Sequence, residues 1–235
     1  MNPLTLNLIA ISIFTITLTS LVGPLFHIPP TVPAGITAIV LGFATIDSLG
    51  WQGRGGDLVI DWLTRAFGGK DYQDRIIHHE AGHFLVAALL EIPVTGYTLN
   101  AWEALRQGQP GLGGVTFDTQ ALEAAMQPHP GGDDRLPVRV LLDRYCTVWM
   151  AGIAAETLVY GDSQGGSDDR QKFQSLGRSL QWSSEIALQY ERRAILQAKT
   201  LLQNHQATYE ALVECMTQRA TVEICYQVIG PTRQS

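Results

Sequence analysis

Residues 78–83 read His-His-Glu-Ala-Gly-His and contain an H-E-x-x-H pattern at His79, Glu80 and His83. Residues four apart lie on one face of a helix, so the two histidines can bind one zinc ion through imidazole nitrogens. Glu80 follows the first histidine and can reach a water on that metal as a general base. The pattern therefore predicts the metal centre of a zinc hydrolase.

The residues around the motif predict that it lies on a helix. Asp71 and Asp74 are typical of a helix start, as a cap and a first-turn acid. The apolar run Phe84–Leu90 continues the helix, and Pro93 stops it. The alternative is that the motif is only the solvated polar face of a helix. This helical context favours the metal site.

A catalytic zinc ion normally has three protein ligands and an open position for water. The third ligand must come from downstream, where the candidates are Glu156, Asp162, Asp168, Asp169 and His129. Acidic residues in the first turn of a helix also interact favourably with the helix dipole. Glu156, within an apolar helix, also suits a hydrogen-bonding partner to a ligating histidine. Spacing alone leaves the third ligand open.

The first 46 residues contain no Asp, Glu, Lys or Arg, whereas the whole chain is 16% charged. Leu4–Val22 is an apolar run long enough to span a bilayer. The alternative is a signal peptide, but no Lys or Arg precedes the run to form its basic n-region. Ala34–Ile46 is shorter. We expect a transmembrane helical hairpin, with one span plus a re-entrant segment as the alternative. Arg54 and Arg65 place the following part on the cytoplasmic side, or its stromal or matrix equivalent.

The predicted organisation has four parts. Residues 1–50 form a membrane anchor, 51–70 an amphipathic connector, 71–229 a mainly helical domain, and 230–235 a C-terminal tail. The domain is expected to contain a small β-hairpin, with strands at Val94–Leu99 and Gly114–Phe117. After a Pro- and Gly-rich linker at 127–137, helices are expected at about 138–160, 168–181, 183–204 and 206–220, with Ser167 as a cap.

Charge and cysteine content narrow the function classes. The net charge is −6 and no basic tract is present, so nucleic acid is not an expected partner. The three cysteines are far apart and form no C-x-x-C pattern. We expect three buried, reduced thiols.

Five stretches of the sequence are His79–Leu90, Gly111–Phe117, Ala151–Glu156, Gly165–Asp169 and Tyr209–Val213. Together they resemble the peptidase module of the FtsH family. The members of that family are membrane-anchored, ATP-dependent zinc metalloproteases. The resemblance covers roughly residues 71–229 and implies a zincin-like helical peptidase fold. It also implies that Asp169 is the third zinc ligand, while Asp168 stands where the family has Asn.

The sequence departs from the FtsH family in its nucleotide chemistry. The family's ATPase module carries a G-x-x-x-x-G-K-[ST] loop, and Gly68-Gly69-Lys70-Asp71 lacks both the first Gly and the Ser or Thr. We therefore expect a peptidase that does not hydrolyse ATP itself. It would work without unfolding power or borrow that power from a separate AAA+ ATPase subunit. The resemblance also suggests a homo-oligomer, a hexamer, although the family's ring is partly built by the ATPase module.

The leading hypothesis is a membrane-anchored zinc endopeptidase that cleaves flexible or unfolded protein segments, with Glu80 as catalytic base and His79, His83 and Asp169 as metal ligands. The alternative is a non-catalytic scaffold or assembly factor of the same fold, which the missing ATPase motif suggests and the intact Glu80 opposes. A third hypothesis is an intramembrane protease, which the charged segment before the motif (Asp71, Asp74 and Arg75) opposes.

Overall fold

The computed structural model describes residues 3–46, 54–108, 114–126 and 135–230. Within these ranges the chain forms eleven α-helices, one 3-10 helix and two β-strands, so the prediction of a mainly helical protein with a small β-hairpin is confirmed. The chain divides into two compact units, Met1–Ile60 and Asp61–Ser235. The residues of the H-E-x-x-H motif belong to the second unit.

The first unit contains helices α1 (Pro3–Val22) and α2 (Thr31–Ile46), joined by a 3-10 helix at Gly23–Phe26. The connection turns at His27, which has a left-handed backbone with φ of 59°. Helices are therefore present over both predicted apolar segments. None of the helices in the described part of the chain is long and apolar enough to cross a membrane, so the structure gives the transmembrane prediction no support.

The motif lies on a long helix, α3 (Arg54–Leu89). The prediction that Asp71 and Asp74 open this helix is wrong, because both lie in its interior. Most of the predicted connector, from Arg54 onward, belongs to the same helix. Two interior glycines, Gly68 and Gly69, cost about 1 kcal/mol each relative to alanine, which is not enough to end a helix. The helix stops four residues before Pro93.

The two strands, β1 (Val94–Thr98) and β2 (Gly114–Phe117), form an antiparallel pair in which Tyr97 lies opposite Val115. Between them lies a short helix, α4 (Ala101–Arg106), which the sequence did not predict. Its N-cap is Asn100, whose side chain accepts a hydrogen bond from the Glu103 backbone N–H at 2.7 Å. Residues 109–113, between the two predicted strands, lie outside the described residues.

After α5 (Gln120–Met126), the predicted single helix over 138–160 is wrong, because the chain forms α6 (Arg135–Trp149) and α7 (Ala151–Tyr160) with a break at Met150. No proline or glycine stands at the break itself, and the nearest glycine is Gly152 in the first turn of α7. It leaves the last carbonyls of α6 without intrahelical partners. Most of the predicted linker at 127–137 lies outside the described residues.

The remaining helices are α8 (Ser167–Ser179), α9 (Ser184–Asn204), α10 (Gln206–Thr217) and α11 (Val222–Ile229). The first three match the predicted ranges, and α11 is additional. Ser167 is the first residue of α8 rather than its cap, since the N-cap is Gly166 in a left-handed conformation with φ of 85°. All three cysteines are buried free thiols, as predicted.

The core of the second unit forms around the C-terminal half of α3. The Phe84 ring contacts Tyr97 of β1 and Tyr226 of α11, with ring centroids 6.4 and 5.3 Å away. Gly82 lies so close to α7 that a Cβ atom there would be 2.6 Å from the Ala155 Cβ. The histidines of the motif are therefore held by a helix that is buried on several sides.

Candidate metal centre

Three buried side chains converge where α3 meets the start of α8. The Nε2 atoms of His79 and His83 lie 3.0 Å apart, and the Asp169 Oδ2 lies 3.1 Å from the first and 3.2 Å from the second. All three residues are under 10% exposed. One metal ion could be held by these three atoms.

The spacing of the three atoms fits a tetrahedral metal ion. Nitrogen and oxygen ligands of zinc at 2.0–2.1 Å give a tetrahedron with edges of about 3.3–3.4 Å. The three observed separations, 3.0 to 3.2 Å, are only slightly shorter. Small outward movements of the side chains would admit the ion.

The hydrogen bonds of His83 fix the orientation of its ring. Its Nδ1 lies 2.7 Å from the Val148 carbonyl oxygen, which can only accept, so Nδ1 carries the proton. In the neutral ring Nε2 then has a free lone pair directed at the cluster. Val148 lies in the last turn of α6, so the helix break at Met150 makes its carbonyl available.

The His79 ring is held in the same way by Glu156. The His79 Nδ1 lies 2.7 Å from the Glu156 Oε1. Glu156 is 2% exposed and also accepts hydrogen bonds from the backbone N–H groups of Gln164 and Gly165, at 2.9 and 3.1 Å. A carboxylate in this position fixes the tautomer of a ligating histidine and increases its basicity.

Of the third-ligand candidates that the structure describes, Asp169 is the one that reaches the two histidine Nε2 atoms. It lies in the first turn of α8, and Lys172 is 3.6 Å from its other carboxylate oxygen, Oδ1. Glu156 contacts the outer nitrogen of His79, Asp162 is paired with Arg75, and Asp168 is exposed. The remaining candidate, His129, lies outside the described residues.

The charges of the cluster favour a bound cation. Burial would raise the pKa of Asp169, but the neighbouring His83 and His79 hold it well below its ordinary value. Burial opposes the charged form of His79, yet its hydrogen bonds to Asp169 and Glu156 raise its pKa to about 10. Without a metal, the site therefore attracts a proton at neutral pH. A metal ion would supply the same positive charge.

Glu80 is buried and lies against the second strand. Its Oε2 accepts a hydrogen bond from the Val115 backbone N–H at 2.9 Å. Strand β2 thus fixes the Glu80 carboxylate, which is not one of the three clustered donors. A glutamate held beside such a cluster can take a proton from a nearby water.

Glycines allow the surrounding backbone to approach the His79 ring. A Cβ at Gly152 would lie 2.3 Å from the His79 Nε2, and one at Gly165 would lie 2.6 Å from the Glu156 Oε1. Both distances are shorter than van der Waals contact. The small residues at the start of α7 and in the loop before α8 therefore serve the packing of the histidine.

Replacing Gly152 with alanine is expected to abolish metal binding at this cluster and to destabilise the fold by about 1–3 kcal/mol, because the added methyl group overlaps the His79 ring. Metal titration and thermal unfolding of the full chain measure both effects. Gly42→Ala in α2 is the control, since its Cβ would meet no atom within 4 Å. Metal affinity in Gly152→Ala equal to that of the wild type would contradict the described packing.

The chain matches no protein-family model and no curated protein sequence.

Sequence reasoning missed several groups that orient the site. The Val148 carbonyl and the Val115 N–H are backbone atoms, which carry no residue-type signal. The sequence gives only a weak indication that Arg75, which contacts Glu156, belongs to the site. It lies four residues before His79, a spacing that places both on one face of α3.

Proposed function

We propose that the chain is a zinc metalloendopeptidase that cleaves unfolded or flexible protein segments. The single observation that carries the proposal is the buried cluster of His79, His83 and Asp169 with Glu80 beside it on the same helix. Two imidazoles and one carboxylate are a donor set that zinc favours at catalytic sites. The resemblance of the motifs to the FtsH family supports the same function.

The protein groups divide the chemistry between them. His79, His83 and Asp169 would hold the zinc ion, which when bound polarises a carbonyl and lowers the pKa of a water. Glu80 takes the proton of the attacking water and passes it to the leaving amine. The Val115 N–H keeps the Glu80 carboxylate in place during both transfers.

The alternative function, a scaffold or assembly factor with no catalytic role, gives the metal no chemical task. A scaffold that binds a structural metal would also need the three donor atoms and the two oriented histidine rings. It would have no need of Glu80. The buried glutamate, held by a strand N–H, therefore favours the enzyme.

Chelator treatment of the full chain tests the proposed function. We expect hydrolysis of an unfolded protein such as casein to be lost with the metal and restored by added zinc. A protein that binds zinc but cleaves none of a broad panel of peptides would instead be a scaffold. Cleavage that survives complete removal of the metal would contradict zinc catalysis.

ATP is expected to have no effect on the activity of this chain, because its sequence contains no P-loop. Peptide cleavage by the purified full chain should be unchanged when ATP or a non-hydrolysable analogue is added. Stimulation by ATP with no second protein present would contradict this expectation. As partners we propose either a separate AAA+ ATPase subunit, which would supply the unfolding of folded substrates, or further copies of this chain in a homo-oligomer.

Membrane attachment is proposed on composition alone, since residues 1–46 carry no Asp, Glu, Lys or Arg. We expect the full chain to fractionate with membranes and to resist alkaline carbonate extraction. The matched variant starts near Gly55 and is expected to be soluble and to bind zinc. Soluble fractionation of the full chain, or its release by carbonate, would contradict anchoring.

A further inference from the structure

Arg75 lies one helical turn before His79 and contacts three groups at the end of α7. Its Nη2 donates to the Asp162 Oδ1 at 2.8 Å, and its Nη1 lies 3.5 Å from the Glu156 Oε2. The guanidinium carbon lies 4.2 Å from the centroid of the Tyr160 ring. Only 18% of the Arg75 side chain is exposed. The guanidinium is therefore fixed on several sides.

When a metal is bound, His79 is a neutral ligand, so the buried Glu156 carboxylate needs another positive partner. A buried charge is costly unless it is paired and hydrogen-bonded. Among the described residues, Arg75 is the only lysine or arginine whose side-chain nitrogen lies within 4.0 Å of this carboxylate. Arg75 and His79 both come from α3, and they contact different oxygens of Glu156.

The plain interpretation is that Arg75 only forms a surface ion pair with Asp162. The Asp162 side chain is 59% exposed, and exposed ion pairs contribute little to stability. That interpretation does not account for the Glu156 contact or for the packing on Tyr160. A planar guanidinium can contact a carboxylate, a second carboxylate and an aromatic face at once, which an ammonium group cannot.

We propose that Arg75 is a positioning residue of the metal centre. Its guanidinium holds the Glu156 carboxylate against the His79 Nδ1, so that the Nε2 of that ring keeps its lone pair directed at the cluster. Arg75 thus acts through Glu156 and does not coordinate the metal. The inference rests on the metal site of the proposed function and is independent of peptide hydrolysis.

Positioning and simple charge effects predict opposite changes in zinc affinity. Removing a positive charge near a cation site strengthens cation binding if charge alone matters. Removing the group that orients Glu156 weakens binding, and loss of such outer partners typically costs 10–100-fold in metal affinity. The sign of the change therefore distinguishes the two effects.

Zinc dissociation constants of full-length variants test the proposal by competition with a chromogenic chelator. We expect Arg75→Met to bind zinc about 10–100-fold more weakly than the wild type. Arg75→Lys keeps the positive charge but lacks the planar guanidinium with its two terminal nitrogens. It is expected to bind zinc about tenfold more weakly than the wild type. Arg193→Met is the matched control, because Arg193 forms an exposed ion pair with Asp143 and should leave affinity unchanged.

Nuclear magnetic resonance of histidine-labelled, zinc-loaded protein supplies a second readout. The Nδ1–H of His79, which donates to Glu156, should shift in both Arg75 variants. The Nδ1–H of His83, which donates to Val148, is an internal reference and should stay in place. A general loss of folding would move both signals, so this readout separates positioning from instability.

The possible outcomes separate this inference from the proposed function. A wild-type chain that binds no zinc would overturn both. A wild-type chain that binds zinc, with unchanged or tighter binding in Arg75→Met and normal binding in Arg75→Lys, would overturn the positioning role alone. An unshifted His79 signal in both variants would overturn it as well. Should Arg75→Met fail to fold, the affinity and spectrum of Arg75→Lys decide.

Discussion

Glu80→Gln is expected to keep zinc bound and to lose peptide hydrolysis by a factor of at least about 10²–10⁴, the usual contribution of a general base. The zinc remains because Glu80 is not one of the three clustered donors. The structure remains because the glutamine amide oxygen can still accept the Val115 N–H. Zinc content and the rate of peptide cleavage measure the two parts separately.

The matched control for Glu80→Gln is Glu91→Gln, which removes a carboxylate just beyond the end of the same helix. The Glu91 side chain is 51% exposed and pairs with Arg144 at 3.5 Å, away from the cluster. This variant should cleave peptides at the wild-type rate. Unchanged turnover in Glu80→Gln itself would remove Glu80 from the mechanism.

Asp169→Ala is expected to lose both bound zinc and activity. The Asp169 Oδ2 is the one oxygen of the cluster, and two imidazoles alone make a weak site. The loss of zinc affinity should exceed the 10–100-fold that removal of an outer hydrogen-bonding partner typically costs. Zinc titration of the full chain measures this loss, and Glu156→Ala provides the outer-partner comparison.

Asp168→Asn is the control for Asp169→Ala. Asp168 is exposed and contacts the Ser167 hydroxyl at 3.3 Å, so the change should be nearly silent. This control removes a negative charge from the same helix turn and leaves the cluster intact. Full zinc occupancy in Asp169→Ala, together with its loss in Glu156→Ala, would make Glu156 the ligand instead.

The parts of the site that follow from local periodicity were predictable. His79 and His83 are four residues apart just before the apolar run Phe84–Leu90, and this spacing alone places them on one face of the helix. The strands β1 and β2 were recognisable from their Val, Thr and aromatic content. Spacing could not select Asp169 among the acidic candidates, because that choice depends on how α8 packs against α3. The resemblance to the FtsH family selected it.

The parts that depend on tertiary packing were not predictable. The break at Met150 has no proline beside it, and Gly152 two residues later costs only about 1 kcal/mol relative to alanine. The sequence therefore does not locate the break, yet the break leaves the Val148 carbonyl for His83. The long run of α3 through Gly68 and Gly69 was missed for a related reason. Local signals at Asp71 and Asp74 suggested a start that the continuous helix overrides.

Zinc stoichiometry with X-ray absorption of the zinc-loaded full chain tests the central claim most directly. The claim is that His79, His83 and Asp169 hold one zinc ion. The expected result is one zinc per chain, with nitrogen and oxygen ligands at about 2.0–2.1 Å and no sulfur, and no zinc in Asp169→Ala. A chain without zinc, or a zinc ion with sulfur ligands at about 2.3 Å, would contradict it.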